Sequence, residues 1–355
     1  MLRQKNKRIL AAVLATAALA ALMTGCGQSA ADEAIRLPPA AQQTVDIHEQ
    51  TVAMQEAAVA KESKVEVEAD EEAIKAEAEA LAESIAAIPL ATTVEASGVD
   101  VKKSGAAAID YSNISDGYVM VNYEEPSAQR LKAQVKGPST TYTYNLTPEK
   151  WAAFPLSDGN GEYQIVVYQN VTGTKYAALL SLTVQAELED EFGPFLRSNQ
   201  YVDFDSAPET VAKAAEITKD MEDPLEKVEA VYDYVVKGLT YDKELAATVK
   251  SGYLPVLDEV LEKGKGICFD YAALMTGMLR SQDVPCKLVV GYAGKAYHAW
   301  ISVWSEHDGW IDGVIWFDGE SWQRMDPTFA SSGKGSDSIM AYIGDGKNYS
   351  AKYFY

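Results

Sequence analysis

The chain has 355 residues, enough for two or three domains. Hydrophobic residues make up 47% of it and aromatic residues 10%, which excludes a wholly disordered or fibrous protein. The net charge of −21 argues against a nucleic-acid partner, because phosphates attract a basic surface. With three cysteines and three histidines, a disulfide scaffold is excluded and we expect neither a metal site nor a cofactor.

The first 25 residues have the features of an export signal. Four of the first eight residues are basic, and an apolar run from Ile9 to Met23 follows before Thr24-Gly25-Cys26. The run is short for a membrane-spanning helix, which needs roughly 20 apolar residues. Segment 1–25 resembles a bacterial lipoprotein signal, which implies that Cys26 is lipidated and that the protein is exported and anchored to the outer face of the bacterial cell membrane. A secretory signal with an incidental cysteine is the alternative.

Residues 26–104 are predicted to form an acidic tether. From Asp32 to Glu83 there are 14 acidic and 4 basic residues, with no Gly, Trp, Tyr or Phe. The Ala- and Glu-rich stretch from Asp70 to Leu81 favours helix, but its apolar stripe is thin. A solvated, partly helical or disordered spacer is therefore preferred over a coiled coil that binds a partner.

Residues 105–190 are predicted to form a small antiparallel, Ig-like β-sandwich. Five segments rich in Val, Tyr and Thr are separated by turn signals such as Asp158-Gly159-Asn160-Gly161. The five predicted strands are Gly117–Tyr123, Leu131–Lys136, Thr141–Leu146, Tyr163–Tyr168 and Lys175–Val184. This region contains no His or Cys, so a spacer is a simpler role for it than ligand docking.

Residues 191–355 are predicted to form an α+β domain, with helices first and an antiparallel sheet after them. The spacing Ser206-x-x-Glu209 predicts a helix capped by Ser206, and Asp223-Pro224 predicts a second helix that ends at Gly238. A third helix is expected to begin at Ile267 or Cys268. Three strands are then predicted, at Lys287–Tyr292, Tyr297–Trp304 and Val314–Asp318.

Cys268, His298 and Asp326 follow one another in the order of a thiol nucleophile, a base and an orienting carboxylate. A free cysteine is mostly protonated at neutral pH, and a helix N-terminus and a nearby imidazolium both favour its thiolate. Gly264 and Gly266 allow a tight backbone approach just before Cys268. A carboxylate at Asp326 would fix the tautomer of His298.

Each of these residues also has a purely structural interpretation. Cys268 could form a disulfide with Cys286, and Cys286 alone is most simply a small buried apolar residue. His298 lies between aromatic residues and could be a core histidine, while Asp326 could start a turn. Asp270, in the first turn of the predicted helix, is interpreted as structural. Most of the aromatic residues of this region are expected to pack on the sheet, and the others could line a cleft.

The sequence motifs around these residues resemble those of the transglutaminase-like superfamily, a cysteine acyl-transfer fold related to papain-type proteases. The matching segments are Gly266–Ala272, Gly291-Tyr292, His298–Trp300 and Asp326–Thr328, with Leu239–Asp242 resembling the short segment that precedes the nucleophile. The resemblance covers about a third of the chain. It implies a Cys268, His298 and Asp326 catalytic triad and a fold with the cysteine at a helix N-terminus.

The implied mechanism is covalent acyl transfer through a thioester on Cys268. The backbone N–H of Cys268 is the natural oxyanion donor, and Tyr241 is a second candidate by position. For an exported, tethered protein we expect hydrolysis of peptide or side-chain amide bonds in an extracellular protein or a cell-wall peptide, rather than crosslinking. A true crosslinking transglutaminase and a catalytically silent surface binding or scaffold module are the alternatives.

Overall fold

The computed structural model describes residues 93–306, 309–312, 315–317, 322–324 and 349–355. The predicted signal, Cys26, most of the predicted tether and Asp326 lie outside the described residues. Among the helices of the described segments, none is both long and apolar enough to cross a membrane.

The part of the chain that the structure describes opens with eight strands, which form two four-stranded antiparallel sheets in the orders β1-β2-β3-β6 and β5-β4-β7-β8. The strands are β1 Val101–Ser104, β2 Ala107–Asp110, β3 Tyr118–Tyr123, β4 Leu131–Lys136, β5 Thr141–Leu146, β6 Ala152–Pro155, β7 Gly161–Thr172 and β8 Lys175–Ala186. All five predicted strands are present, whereas β1, β2 and β6 were missed because four residues are too few to show an alternation. The packing of these sheets as an Ig-like sandwich stays a prediction.

Some of the described residues before the first strand, inside the segment predicted as a tether, pack on the first sheet and are therefore not a solvated spacer. Val94 and Ala96 pack against a small cluster on the first sheet, which includes Tyr118 and Met120. The backbone N–H of Val94 donates a hydrogen bond of 3.1 Å to a carboxylate oxygen of Asp205. This residue pair, 111 positions apart, ties the chain entering the first sheet to the helical region.

In the described residues, five α-helices follow these strands: α1 Pro208–Ile217, α2 Pro224–Gly238, α3 Lys243–Thr248, α4 Leu257–Lys263 and α5 Cys268–Arg280. The predicted cap of α1 by Ser206 is wrong, because the helix begins at Pro208 and its N-cap is therefore Ala207. The carboxylate of Asp258, in α4, instead accepts from the backbone N–H groups of Glu209 and Thr210, at 3.3 and 2.8 Å. A side chain distant in sequence therefore caps this helix, which no local motif could reveal.

The start and end of α2 match the prediction. Asp223 caps it by accepting a hydrogen bond of 2.8 Å from the N–H of Leu225, and the helix ends at Gly238. The short helices α3 and α4 were not predicted.

The strands after α5 include the three predicted ones and three further strands. They are β11 Cys286–Ala293, β12 Ala296–Ser305, β13 Gly309–Asp312, β14 Ile315–Phe317, β15 Trp322–Arg324 and β16 Tyr349–Phe354. Strands β11 and β12 match the first two predictions, and β14 lies inside the third predicted strand, Val314–Asp318, whereas β13, β15 and β16 were not predicted. The strand beside β12 is β13, while β14 pairs with β15 in a separate ladder.

An antiparallel sheet in the order β13-β12-β11-β16 forms one wall of the helical region, and α5 packs against it. A single buried apolar cluster runs from the early sheets, through α5, into this sheet. All 13 residues of α5 are buried, so this helix is the central element of the C-terminal half.

Candidate active site

Cys268 is the first residue of α5, as the sequence predicts. The chain leaves α4 at Gly264, whose φ of 57° lies in the left-handed region that favours glycine. It then forms the two-residue strand β10, Lys265–Gly266, and enters α5. Cys268 is 9% exposed. Its backbone N–H belongs to the first turn, where N–H groups have no partner within the helix.

Asp270 fastens the first turn of α5. One carboxylate oxygen accepts from the backbone N–H of Ile267 at 2.7 Å, and the other accepts from the hydroxyl of Tyr253 at 2.6 Å. Burial raises the pKa of Asp270 to about 6, although both hydrogen bonds favour its charged form. A Cβ added at Gly266 would lie 2.5 Å from the Cβ of Asp270, so this close approach requires glycine. The structural interpretation of Asp270 is therefore supported by its contacts.

Tyr241 lies beside the segment that leads to Cys268. It belongs to the two-residue strand β9, Thr240–Tyr241, which runs parallel to β10 with Tyr241 opposite Gly266. The next residue, Asp242, caps α3 and forms a salt bridge of 2.9 Å with Lys265. Hydrogen bonds from backbone N–H groups and the ammonium of Lys265 lower the pKa of Asp242. The pairing thus places Tyr241 opposite the residue two positions before Cys268.

His298 is a buried residue of β12, which packs on α5 together with β11. It lies opposite Gly291 of β11. The rings of His298 and Trp300 are stacked, with centroids 6.4 Å apart and an interplanar angle of 24°. Alternation along the strand places these two rings on one side and Ala299 and Ile301, which belong to the main core, on the other. The structure thus supplies specific neighbours for the imidazole.

The two cysteines in the described residues are both free thiols, so the alternative of a disulfide between Cys268 and Cys286 is not realised. Cys286 is fully buried, and its sulfur lies 3.6 Å from the hydroxyl of Thr276 in the middle of α5. Burial raises the pKa of Cys286 to about 12. A thiol in such surroundings stays protonated and unreactive.

The third predicted catalytic residue, Asp326, is outside the described residues. Within the described segments, no group of three or more His, Cys, Asp or Glu side chains is arranged to hold a metal ion.

Several aromatic residues of this region pack together on the sheet rather than around Cys268. Trp304 and Trp310 are in edge contact, with centroids 5.7 Å apart, and Phe192 packs against both. The ammonium of Lys287 lies 3.5 Å from the centroid of Trp310. These contacts favour a packing role for Trp304 and Trp310.

Sequence reasoning missed Tyr253 and Tyr349. The hydroxyl of Tyr253 is bound to Asp270 across 17 residues of chain, and no local pattern signals that contact. The ring of Tyr349, on β16, makes an edge contact with Trp300 at 5.2 Å and lies 6.5 Å from His298. The pairing of Trp300 with His298 itself was accessible, because residues i and i+2 of a strand share a face.

Comparison with known proteins agrees with this arrangement. Residues 211–327 match the family model of the transglutaminase-like superfamily. The matched region includes helix α5 and strands β11 and β12 with Cys268 and His298, and it also spans Asp326. The chain thus contains a transglutaminase-like domain in its C-terminal half.

One curated relative is the uncharacterized protein YebA of Bacillus subtilis, which is 25% identical over 178 residues, or 44% of this chain. The aligned part is 24% of that protein, so the chain spans about a quarter of its relative's length.

Similar solved structures include a candidate cysteine protease from Cytophaga hutchinsonii, at 16% identity and a TM-score of 0.34 over 67% of this chain and 83% of that one. Red sea bream transglutaminase is 13% identical, with a TM-score of 0.25 over 64% of this chain and 53% of that one.

Proposed function

We propose that this protein is a cysteine-dependent acyl-transfer enzyme in which Cys268 is the nucleophile, His298 the acid and base, and Asp326 the residue that orients His298. The observation that carries the proposal is the position of Cys268 at the first residue of a buried helix, inside the matched domain, on an element packed against the strand of His298. Cys286 serves as an internal contrast, since it is buried beside the middle of the same helix.

The chemistry begins with attack of the Cys268 thiolate on the carbonyl carbon of an amide. The C–N bond breaks, the leaving amine takes a proton from the imidazolium of His298, and a thioester remains. His298 then accepts a proton from water as the oxygen attacks the thioester, which releases a carboxylic acid and the thiolate. The N–H of Cys268, in the unpaired first turn of α5, supports the role of oxyanion donor, and Tyr241 is the second candidate.

We infer water rather than an amine as the second nucleophile, which makes the enzyme a hydrolase of peptide or side-chain amide bonds. The substrate would be an extracellular protein or a cell-wall peptide, because the first 26 residues carry the pattern of a lipoprotein signal. Transfer of the acyl group to an amine would overturn the assignment of water as the second nucleophile. Incubation of the enzyme with a glutamine-containing peptide and a primary amine distinguishes the two routes: both release ammonia, but hydrolysis leaves a glutamate side chain on the peptide, whereas transfer leaves a new amide with the added amine.

The direct test of the nucleophile is the pH dependence of alkylation at Cys268, read by mass spectrometry of the peptide that contains it. The full chain carries Cys26→Ser, and Cys286 in the same sample is the buried control. Rapid alkylation by iodoacetamide that persists well below pH 7 and is lost in His298→Ala supports a thiolate–imidazolium pair. A rate that rises only near pH 8.5 in both proteins, as for an ordinary thiol, would overturn the proposal.

The proposed anchor at Cys26 has its own test. In a bacterial host, the wild-type chain should incorporate an alkyne-labelled fatty acid and sediment with membranes, whereas Cys26→Ala should do neither. Label retained in Cys26→Ala, or a wild-type chain without label, would contradict lipidation of Cys26 without affecting the proposed chemistry.

A further inference from the structure

The ring of Trp300 is stacked on that of the candidate base, His298, and the proposed mechanism gives Trp300 no role. It is 4% exposed and His298 is 6% exposed, so both rings are removed from solvent. Trp300 lies two positions after His298 on β12, and the two rings stack at 24° with centroids 6.4 Å apart. That separation lies within the range of offset-stacked aromatic pairs.

Two neighbouring strands hold the indole in this orientation. On β11, a Cβ added at Gly291 would lie 2.8 Å from Cη2 of Trp300, so the indole occupies space that any other residue would fill. On β16, the ring of Tyr349 contacts the indole edge-on, at an angle of 77°. The indole is therefore fixed from two sides rather than free to rotate away from the imidazole.

A π face beside an imidazole affects its two protonation states differently. The face of an indole carries negative charge density and attracts a cation, whereas it has no comparable effect on a neutral ring. Burial acts in the opposite direction, because removal of water disfavours the charged form. A buried histidine that must remain protonated beside a thiolate thus benefits from an aromatic face in place of the lost water.

We propose that Trp300 is a positioning residue for the candidate active site: it fixes the ring of His298 and favours its imidazolium form. This inference rests on the proposed function, because it assigns to Trp300 a role in the thiolate–imidazolium pair. It goes beyond the Cys268, His298 and Asp326 assignment, which leaves the protonation state of His298 to the carboxylate alone.

The titratable groups near this end of β12 define what else could influence His298. Those on the described elements packed against it are Cys268 and Asp270 on α5, Tyr292 on β11 and Tyr349 on β16. Both carboxylate oxygens of Asp270 already accept hydrogen bonds, from the N–H of Ile267 and the hydroxyl of Tyr253. Among these groups, Asp270 is thus bound by its own partners, and the thiolate of Cys268 is the negative charge that the proposed function pairs with the imidazolium.

The effect can be separated from ionisation of the thiol itself. The alkylation rate of Cys268 plotted against pH should have an acid limb, where the thiol ionises, and an alkaline limb, where the imidazolium of His298 loses its proton. An indole that stabilises the imidazolium does so whether Cys268 is protonated or not, so the pH of the acid limb should not change when Trp300 is replaced. The pH of the alkaline limb should change. Iodoacetate reports this second step, because its negative charge makes alkylation fastest while the imidazolium is present.

The experiment measures the rate of iodoacetate alkylation of Cys268 against pH in the full chain carrying Cys26→Ser. We expect Trp300→Leu to move the alkaline limb down by about half a pH unit, with the acid limb unchanged. Trp300→Phe keeps a smaller π face and should give an intermediate shift. Trp304→Leu is the matched control, since Trp304 is on the same strand face but packs on Phe192 and Trp310, and its limbs should not move.

The outcomes distinguish this inference from the function on which it rests. If wild type has no alkaline limb, or if His298→Ala behaves as wild type, the proposed function fails. If His298→Ala removes the limb but Trp300→Leu leaves it in place, the role of Trp300 is overturned and the proposed function stands. If Trp300→Leu unfolds the chain, Trp300→Phe decides, because a folded protein with an unshifted limb contradicts the inference.

Discussion

The two ends of helix α5 are both buried, yet they are built for different purposes. At the N-terminal end, Cys268 opens the helix and the carboxylate of Asp270 binds the N–H and hydroxyl groups of Ile267 and Tyr253. At the C-terminal end, the guanidinium of Arg280 is fully buried and donates to three backbone carbonyl oxygens.

The two free thiols show that the place of a cysteine relative to α5 determines how readily its thiol ionises. Cys268 lies where unpaired N–H groups and the helix dipole favour an anion. Cys286 lies against the middle of the helix, where burial raises the pKa of its thiol to about 12. The N-terminal end of α5 is therefore suited to stabilise a negative charge, whereas at the C-terminal end the positive charge of Arg280 stabilises the fold through its hydrogen bonds.

The largest expected effect is at the C-terminal end. Arg280→Met removes hydrogen bonds of 2.8, 2.7 and 2.6 Å to the carbonyl oxygens of Cys286, Arg197 and Tyr355, and leaves these oxygens buried without that donor. We expect the free energy of unfolding to fall by about 3–5 kcal/mol, measured by urea denaturation. The control, Lys237→Met, breaks an exposed pair with Asp233 and should change it by less than about 1 kcal/mol. Equal effects of the two changes would contradict the role of Arg280.

The next effect is at the N-terminal end. Gly266→Ala forces a Cβ to within 2.5 Å of the Cβ of Asp270, so the first turn of α5 must shift. We expect a loss of about 1–3 kcal/mol in the free energy of unfolding, together with slower alkylation of Cys268. Gly238→Ala is the matched control, because nothing lies within 4 Å of its added Cβ, and it should leave both quantities nearly unchanged. Wild-type behaviour of Gly266→Ala would show that the turn tolerates a side chain.

A smaller effect is expected on the pH dependence of stability, through the buried carboxylate of Asp270. Burial raises the pKa of Asp270 to about 6, above the usual value of about 3.9 for an unfolded chain. The folded state therefore binds more protons between these values, and stability should increase as pH falls from 7 to 5. We expect the free energy of unfolding of wild type to gain about 1 kcal/mol relative to Asp270→Asn over that range.

The measurement is a pair of denaturation series at pH 7 and pH 5. Asp205 has a pKa raised in the same way, to about 6, so Asp205→Asn should remove a separate part of the pH dependence. Parallel curves for wild type and Asp270→Asn would mean that Asp270 titrates at its ordinary value in the folded protein.

The smallest effect is expected at Cys286. Cys286→Ala removes one buried sulfur and its contact with Thr276, which should lower the free energy of unfolding by about 1 kcal/mol. The alkylation profile of Cys268 should be identical to that of wild type. A changed profile would show that the two thiols communicate through α5.

The sequence predicted the helix that begins at Cys268 because glycines, a cysteine and an apolar run are adjacent along the chain. Strands β4 and β5 were equally accessible, since alternation and turn signals are local. The cap of α1 was mispredicted because Pro208 favours a different N-cap and Asp258 reaches it from another helix. Short elements such as β1 and α3 carry too few residues for a period to show.

The candidate site divides in the same way. The sequence could pair His298 with Trp300, but not Asp270 with Tyr253 or Trp300 with Tyr349. Those contacts depend on how the loop after α3 and strand β16 return to the helix and the sheet. Long-range returns of this kind are set by tertiary packing, which a single sequence does not display.

The carbonyl groups bound by Arg280 have a consequence for the order of events in folding. Two of them belong to residues 83 and 75 positions away, whereas the partners of Asp270 are 3 and 17 positions away. Contacts between distant residues form late, because the entropy of closing long loops must be overcome first. We therefore expect the turn around Cys268 to assemble early and the Arg280 end to close last, so that the final folding phase is slow and reports on strand β16.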